Sequence, residues 1–375
     1  MNWYDNPAFR GIDPRLGHQL MKTTADLEWL ESASARDLLS MACGHLKLDA
    51  SIVALAPADT NALSFGNTPH EELQTLFAPH FPAGTDVAAD LADEVQLCRA
   101  FAEPRLILGE IETKIEGIVS KFPTVAAHIQ VGANKGDVLD PFILAANFDL
   151  LSGRNMDRTI EMTIAHKILM KIEDLLGGMH ELVIGSMRGN FRVPEPLQTL
   201  SGSKNVLHPA TNPFPGADIG QVPLPQTPNK IRLFQCKNKT GSAKGGDGAR
   251  LGQQLRLLAE TYGAETFYAA IVGNTLVGHR SKGAVLKASP ETAVLVGNAA
   301  LAELTRSDSG AELLLRTYRR AFRTVSHKTG YDFESVSTGI VADFSKLTAG
   351  GDFIDSWLHQ AMGGPRVDQD SRFAQ

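Results

Sequence analysis

The amino-acid sequence predicts a mixed fold of the α/β class, with α+β character and a mainly helical N-terminal region. Two patterns carry that expectation. Apolar residues recur at helical spacing from Ile160 to Leu182. Short β-rich runs at Ile231–Phe234, Phe267–Val272 and Val294–Gly297 then alternate with helical patterns at Ala249–Tyr262 and Ala299–Thr305. The length of 375 residues allows two ordinary domains or one large elaborated one.

Residues 1–155 read as a mainly helical accessory region. Leu27, Leu30, Leu38, Leu39 and Ala42 repeat at helical spacing within Thr24–Lys47. Ile107, Ile111, Ile115, Ile118 and Val119 do the same within Leu106–Phe122. This stretch holds no short chemical motif, so DNA contact, dimerisation and a purely structural role all remain open for it. Residues 156–375 read as the second region. It begins with one long amphipathic helix whose buried stripe is Ile160, Ile164, Ile168, Ile172, Leu175, Leu176, Met179 and Leu182. Gly177-Gly178 is expected to bend that helix or end its first half. From Val183 to Asn229 the chain is rich in Gly, Pro and Asn and reads as turns.

The chemistry concentrates at Asp218 and at Phe234-Gln235-Cys236-Lys237-Asn238-Lys239. The run Ile231–Phe234 leads straight into a polar, cationic strand tip. Alternation puts Gln235, Lys237 and Lys239 on one face and Phe234 and Cys236 on the other. A carboxylate near a carboxamide and an ammonium suits a phosphodiester-cleaving metal site. The carboxylate and an amide oxygen can hold a hard cation such as Mg²⁺. The lysine can orient a water and offset charge growing on the phosphate.

At these residues the sequence resembles the PD-(D/E)XK nuclease superfamily, most closely its type II restriction endonucleases. Gly216-Ala217-Asp218-Ile219 fits the first half of the family pattern, and Gln235-Cys236-Lys237 fits the second with Gln in place of the acid. Leu295–Thr305 also resembles a stretch found near the end of several restriction enzymes. The resemblance covers roughly residues 160–330. It implies a central mixed sheet flanked by helices, with a restriction-endonuclease-like core. It implies Mg²⁺-dependent cleavage of both strands of duplex DNA at a short specific sequence, as part of restriction–modification. Asp218, Gln235 and the backbone carbonyl of Cys236 would hold the metal, and Lys237 would position the attacking water. The superfamily often places a further acid on the helix ahead of its first catalytic strand. Glu173 is the expected residue here, with Glu161 and Glu181 as substitutes. Asn238, Lys239 and Lys244 would hold the scissile backbone. A palindromic target implies a homodimer. Other nucleases of the same fold, for repair or junction resolution, and a DNA-binding relative without catalysis are the alternatives.

Charge supports a nucleic-acid partner only locally. The net charge is −6, which argues against a wholly basic coat protein. Yet Lys230–Arg256 holds Lys230, Arg232, Lys237, Lys239, Lys244, Arg250 and Arg256 against the single acid Asp247. Such a surface can face phosphates, and it can equally be a solvated basic loop. His279-Arg280-Ser281-Lys282 follows a strand and turn, where Arg and Lys can read guanine edges. The glycine-rich Gly241–Gly248 lacks the order of a P-loop and fits a loop over the DNA backbone.

The three cysteines are too few and too far apart for a disulfide framework or a CxxC clip, which suits a reducing cytoplasm. His45, His70 and His80 show no metal-ligand spacing with acids or cysteines along the chain. The sequence has neither a membrane-length apolar run nor a secretory pattern at Met1–Arg10.

Overall fold

The computed structural model describes residues 7–121, 141–196, 206–224, 230–239, 247–277, 279, 281–330, 334, 337–339 and 341–342. Contacts divide the chain into two units, Met1–Ile111 with Leu176–Arg320, and Glu112–Leu175 with Ala321–Gln375.

The first unit opens with helices α1 (Pro14–Ser32), α2 (Ala35–Leu46), α3 (Ala62–Gly66), α4 (His70–Phe77) and α5 (Val87–Ala100). Local chemistry explains why the pattern over Thr24–Lys47 becomes two helices. Ser34 caps α2, with the Asp37 amide donating to Ser34 Oγ (3.2 Å) and the Ser34 amide donating to Asp37 Oδ2 (2.9 Å). This reciprocal cap gives α2 its own N-terminus and stops α1 at Ser32.

Helix α6 (Pro104–Val119) leads into the second unit, which holds α7 (Pro141–Ala146), the π-helical turn Asn147–Leu151 and the first part of α8 (Met156–Gly185). Within that unit the Asn147 amide donates to Thr163 Oγ1 (2.9 Å), and Ser152 and Thr159 share a hydroxyl bond (2.7 Å). Helix α8 runs unbroken through Gly177-Gly178, contrary to the expected bend or stop.

The chain then builds a five-stranded mixed sheet, in sequential order, from β1 (Asn190–Arg192), β2 (Ile219–Gln221), β3 (Arg232–Lys239), β4 (Glu265–Val272) and β5 (Ala293–Val296). Strands β1, β2 and β3 pair antiparallel, and β3, β4 and β5 pair parallel. The parallel pairs need crossovers, supplied by α9 (Asp247–Tyr262) and α10 (Lys282–Ala288). Helices α11 (Asn298–Thr305) and α12 (Gly310–Thr329) follow. The protein is thus mixed α/β with a central mixed sheet and many helices.

One hydrophobic core joins Leu233 and Tyr268 of the sheet to Leu251, Leu255 and Leu258 of α9 and to Leu16, Leu20 and Leu27 of α1. A second gathers Leu38, Leu39, Leu73, Phe77, Leu91 and Val95 from α2, α4 and α5. Helix α1 thus buries its apolar face in the sheet's own core, on the far side of residue 155 in the sequence. Strand β3 is buried on both faces at Leu233, Phe234 and Gln235, and it emerges through half-buried Cys236, Lys237 and Asn238 to exposed Lys239. A parallel-paired strand covered by helices shows this profile. Its C-terminal end is where polar side chains can reach solvent without leaving the sheet.

Gly220 is held by packing. A Cβ there would lie 2.1 Å from Phe191 Cζ, on the residue it faces across β1 and β2. We expect Gly220→Ala to cost about 1–3 kcal/mol in urea unfolding, as overpacking does. Unchanged stability would mean that β1 is free to shift.

Candidate active site

Antiparallel register between β2 and β3 sets Ile219 opposite Phe234, and the Asp218 amide donates to Phe234 O (2.8 Å). One residue before β2, Asp218 thus stands across from Gln235, and cross-strand neighbours share a face. The Gln235 side chain donates from Nε2 to Asp218 Oδ2 at 2.6 Å, and the Cys236 amide donates to the same oxygen at 2.7 Å. Gln235 Nε2 also lies 3.3 Å from the Cys236 carbonyl oxygen. Asp218 and the consecutive pair Gln235-Cys236, apart in sequence, therefore meet at one point.

The surroundings are dry and charged. Burial pushes the Asp218 carboxyl up to about 7, Glu181 pushes it the same way, and the Cys236 amide, Lys237 and Arg192 pull it down. Lys237 is half-buried and follows Gln235 by two positions, on the same face of β3. The Cys236 thiol is raised well above its ordinary value, first by burial and then by the Asp218 charge. Oxygens, not a thiolate, are what this cluster offers.

The α8 carboxylate acting on the site within the first unit is Glu181. It pairs with Arg192 at the end of β1 (3.2 Å). Glu173, the residue expected in that role, is exposed on the same helix about two turns earlier and belongs to the second unit. Both lie on the helix that precedes the first strand, and spacing alone does not say which turn of it meets the sheet. Gly177 explains the close approach of that helix to the strand tip: a Cβ there would stand 2.7 Å from Asn238 Nδ2.

The expected DNA-contact residues fall into three groups. Asn238 and Lys239 continue β3 outward from the cluster. Lys244 and Arg280 lie outside the described residues. Arg250, His279 and Lys282 sit on or before the crossover helices. Arg250 pairs with Asp247 (3.3 Å), and Lys282 is half-buried at the start of α10. His279 corrects the expectation of a surface reader: it is buried, with its ring stacked on Tyr268 at 4.4 Å between centroids.

Two more cations of the basic window are committed within the fold. Arg232 bonds Gln221 and Glu303 and lies over the Phe267 ring (4.6 Å). Arg256 pairs with Glu260 (2.8 Å). Among the described residues of that window, Lys230 and Lys239 are exposed and Lys237 is half-buried, the last two at the exit of β3.

Among the described residues no helix is long and apolar enough to cross a membrane. Compared with models of known protein families and with curated proteins, the chain matches none.

Proposed function

We propose that this protein is a Mg²⁺-dependent endonuclease of the PD-(D/E)XK type, acting on duplex DNA in the manner of a type II restriction enzyme. The observation that carries the reading is the convergence of Asp218 Oδ2 and the Cys236 carbonyl oxygen on one atom of Gln235. Two oxygens aimed at a single donor mark a place where positive charge is favoured. Rotating the Gln235 amide by a half turn would put its oxygen there and complete a set of hard donors for Mg²⁺.

The order of elements supports the same reading. The cluster sits among a long helix, three antiparallel strands, a crossover helix and a parallel strand, an order that agrees with the core the sequence resemblance implies.

When bound, Mg²⁺ supplies charge neutralisation on the scissile phosphate and a more acidic water. Asp218 would hold it as a carboxylate, and Gln235 and Cys236 would add neutral oxygens. Lys237 orients the attacking water and stabilises the phosphate as negative charge grows. Glu181 stands near Asp218 as a further acid. Asn238 and Lys239, which continue β3 outward, would hold the backbone beside the cut. Cutting both strands of a palindrome calls for a homodimer.

One observation favours a second reading, a DNA-binding relative that no longer cuts. Gln235 turns its NH₂ toward Asp218, and that donor satisfies the carboxylate without any cation. Incubation of plasmid DNA with the protein and Mg²⁺ separates the readings. Discrete, reproducible fragments are the expected result. Nicks confined to branched or damaged substrates would point to repair, and retarded but intact DNA would select the non-cutting relative.

A further inference from the structure

Away from the strand tip, the helical part of the first unit brings together three residues that the sequence keeps apart. His45 lies near the C-terminus of α2, and Glu94 and Cys98 lie one turn apart on the same face of α5. His45 Nδ1 is 2.8 Å from Glu94 Oε1 and 3.5 Å from Cys98 Sγ, and the three ligand atoms all lie within 4.8 Å of one another. The Glu94 side chain is fully buried, Cys98 is buried, and the His45 side chain is 29% exposed, so the solvent edge of the cluster lies along the histidine.

Hydrogen bonding accounts for only part of this convergence. The carboxylate and the thiol both approach the same ring nitrogen. With its proton on Nδ1, the imidazole donates to Glu94 and leaves the Cys98 sulfur as at most a weak second acceptor of the same proton. With its proton on Nε2, it can accept from Cys98 but turns a lone pair toward a carboxylate. A nucleophile–base–acid relay is also ruled out, because it needs the thiol and the acid on opposite ring nitrogens.

We propose that His45, Glu94 and Cys98 form a binding site for a zinc-class divalent cation, with a fourth position open to water along the exposed edge of His45. A nitrogen, a carboxylate oxygen and a thiolate are zinc's usual protein donors. Bond lengths of about 2.0–2.3 Å place the nitrogen and sulfur of a tetrahedral site roughly 3.6 Å apart and the nitrogen and oxygen roughly 3.4 Å apart. The nitrogen–sulfur distance already fits, and the nitrogen–oxygen pair has to open by about half an ångström.

The support around the site suits a metal ligand. Glu94 keeps its other oxygen on Arg320 (3.1 Å) and Arg105 (3.5 Å), and Arg105 also donates to the His45 carbonyl (3.2 Å). These contacts orient the carboxylate and leave Oε1 as the single ligand oxygen. On binding, the Cys98 thiol gives its proton to solvent as its sulfur bonds the cation, with no change of oxidation state. The site would clamp α2 to α5 and does not depend on the nuclease reading.

The test uses the full-length protein, stripped of metal and titrated with Co²⁺ and then Zn²⁺. Expected are one thiolate-to-cobalt charge-transfer band, its loss when Zn²⁺ displaces Co²⁺, and its absence in Cys98→Ser. His45→Gln should weaken Zn²⁺ at least tenfold, the lower end of what even outer-shell changes cost. The band should persist in an Asp218→Asn, Cys236→Ser double variant, which removes the other candidate metal site. No band in the wild-type protein, or a band that survives Cys98→Ser, overturns the assignment. The wild-type measurement stands even if a variant fails to fold.

Discussion

Replacing Asp218 by Asn is expected to remove DNA cleavage and, at the same time, to stabilise the metal-free protein at neutral pH and above. Both effects have one cause, a carboxylate that burial and Glu181 hold up to about 7. In the unfolded chain such a group ionises near its ordinary value of 3.8. Below that pH both states keep the proton, and the group adds no pH dependence. Between about pH 4 and pH 7 the folded protein keeps the proton while the unfolded chain gives it up, so wild-type stability falls as pH rises through that window. The accumulated loss is on the order of 4 kcal/mol. Asn has no proton to lose, yet its side-chain oxygen can still accept from Gln235 and Cys236.

Urea unfolding at about pH 5 and about pH 8 should therefore show the Asn variant gaining on wild type with rising pH. Mg²⁺ should narrow the gap above neutrality by binding the wild-type carboxylate. Cleavage should fall by at least about 100-fold, the scale of losing one preorganised electrostatic group. If the two proteins tracked each other across pH, with and without Mg²⁺, the buried-carboxylate account of the site would be wrong.

The second large effect is expected at Lys237. Its change to Ala should lower the single-turnover cleavage rate by about 100- to 10,000-fold, the range for a group that handles a proton or developing charge in the transition state. DNA affinity measured in Ca²⁺ should change far less, because one phosphate contact among many contributes little to a salt-dependent total. Arg should rescue poorly, since a planar guanidinium delivers its donors in another geometry. A Lys237→Ala protein that cuts at the wild-type rate would remove the residue from the mechanism. A loss of affinity as large as the loss of rate would make it a binding residue.

Much of the second half of the chain was legible from periodicity. The helical stripe from Ile160 became α8, and Phe267–Val272 and Val294–Gly297 became β4 and β5 within a residue or two. These segments announce themselves through their apolar spacing: α8 buries Ile160, Ile164 and Met179, β4 is buried from Thr266 to Ile271, and β5 is half-buried throughout. The neighbourhood of Asp218 and Gln235 was legible too, since a strand exit and a preceding acid suffice to suggest pairing. The split between α1 and α2 was missed because a local cap at Ser34 overrode a continuous apolar pattern. His279 was misplaced because a histidine in a turn gives no sign of the tyrosine it stacks on. His45, Glu94 and Cys98 were invisible because their adjacency depends on how α2 packs on α5, and no spacing along the chain encodes that contact.

By itself, the sequence determined the kind of elements this protein forms and the residue types gathered at the exit of β3. Those features follow from local periodicity and from the need of polar groups to leave a buried strand at its end. Only the tertiary structure decided that Glu181 is the helix acid near Asp218, that Arg232 is held by Gln221 and Glu303, and that a histidine, a glutamate and a cysteine meet between α2 and α5. Each of these depends on distance between segments far apart in the chain, and that distance is set by packing, not by any one segment's composition.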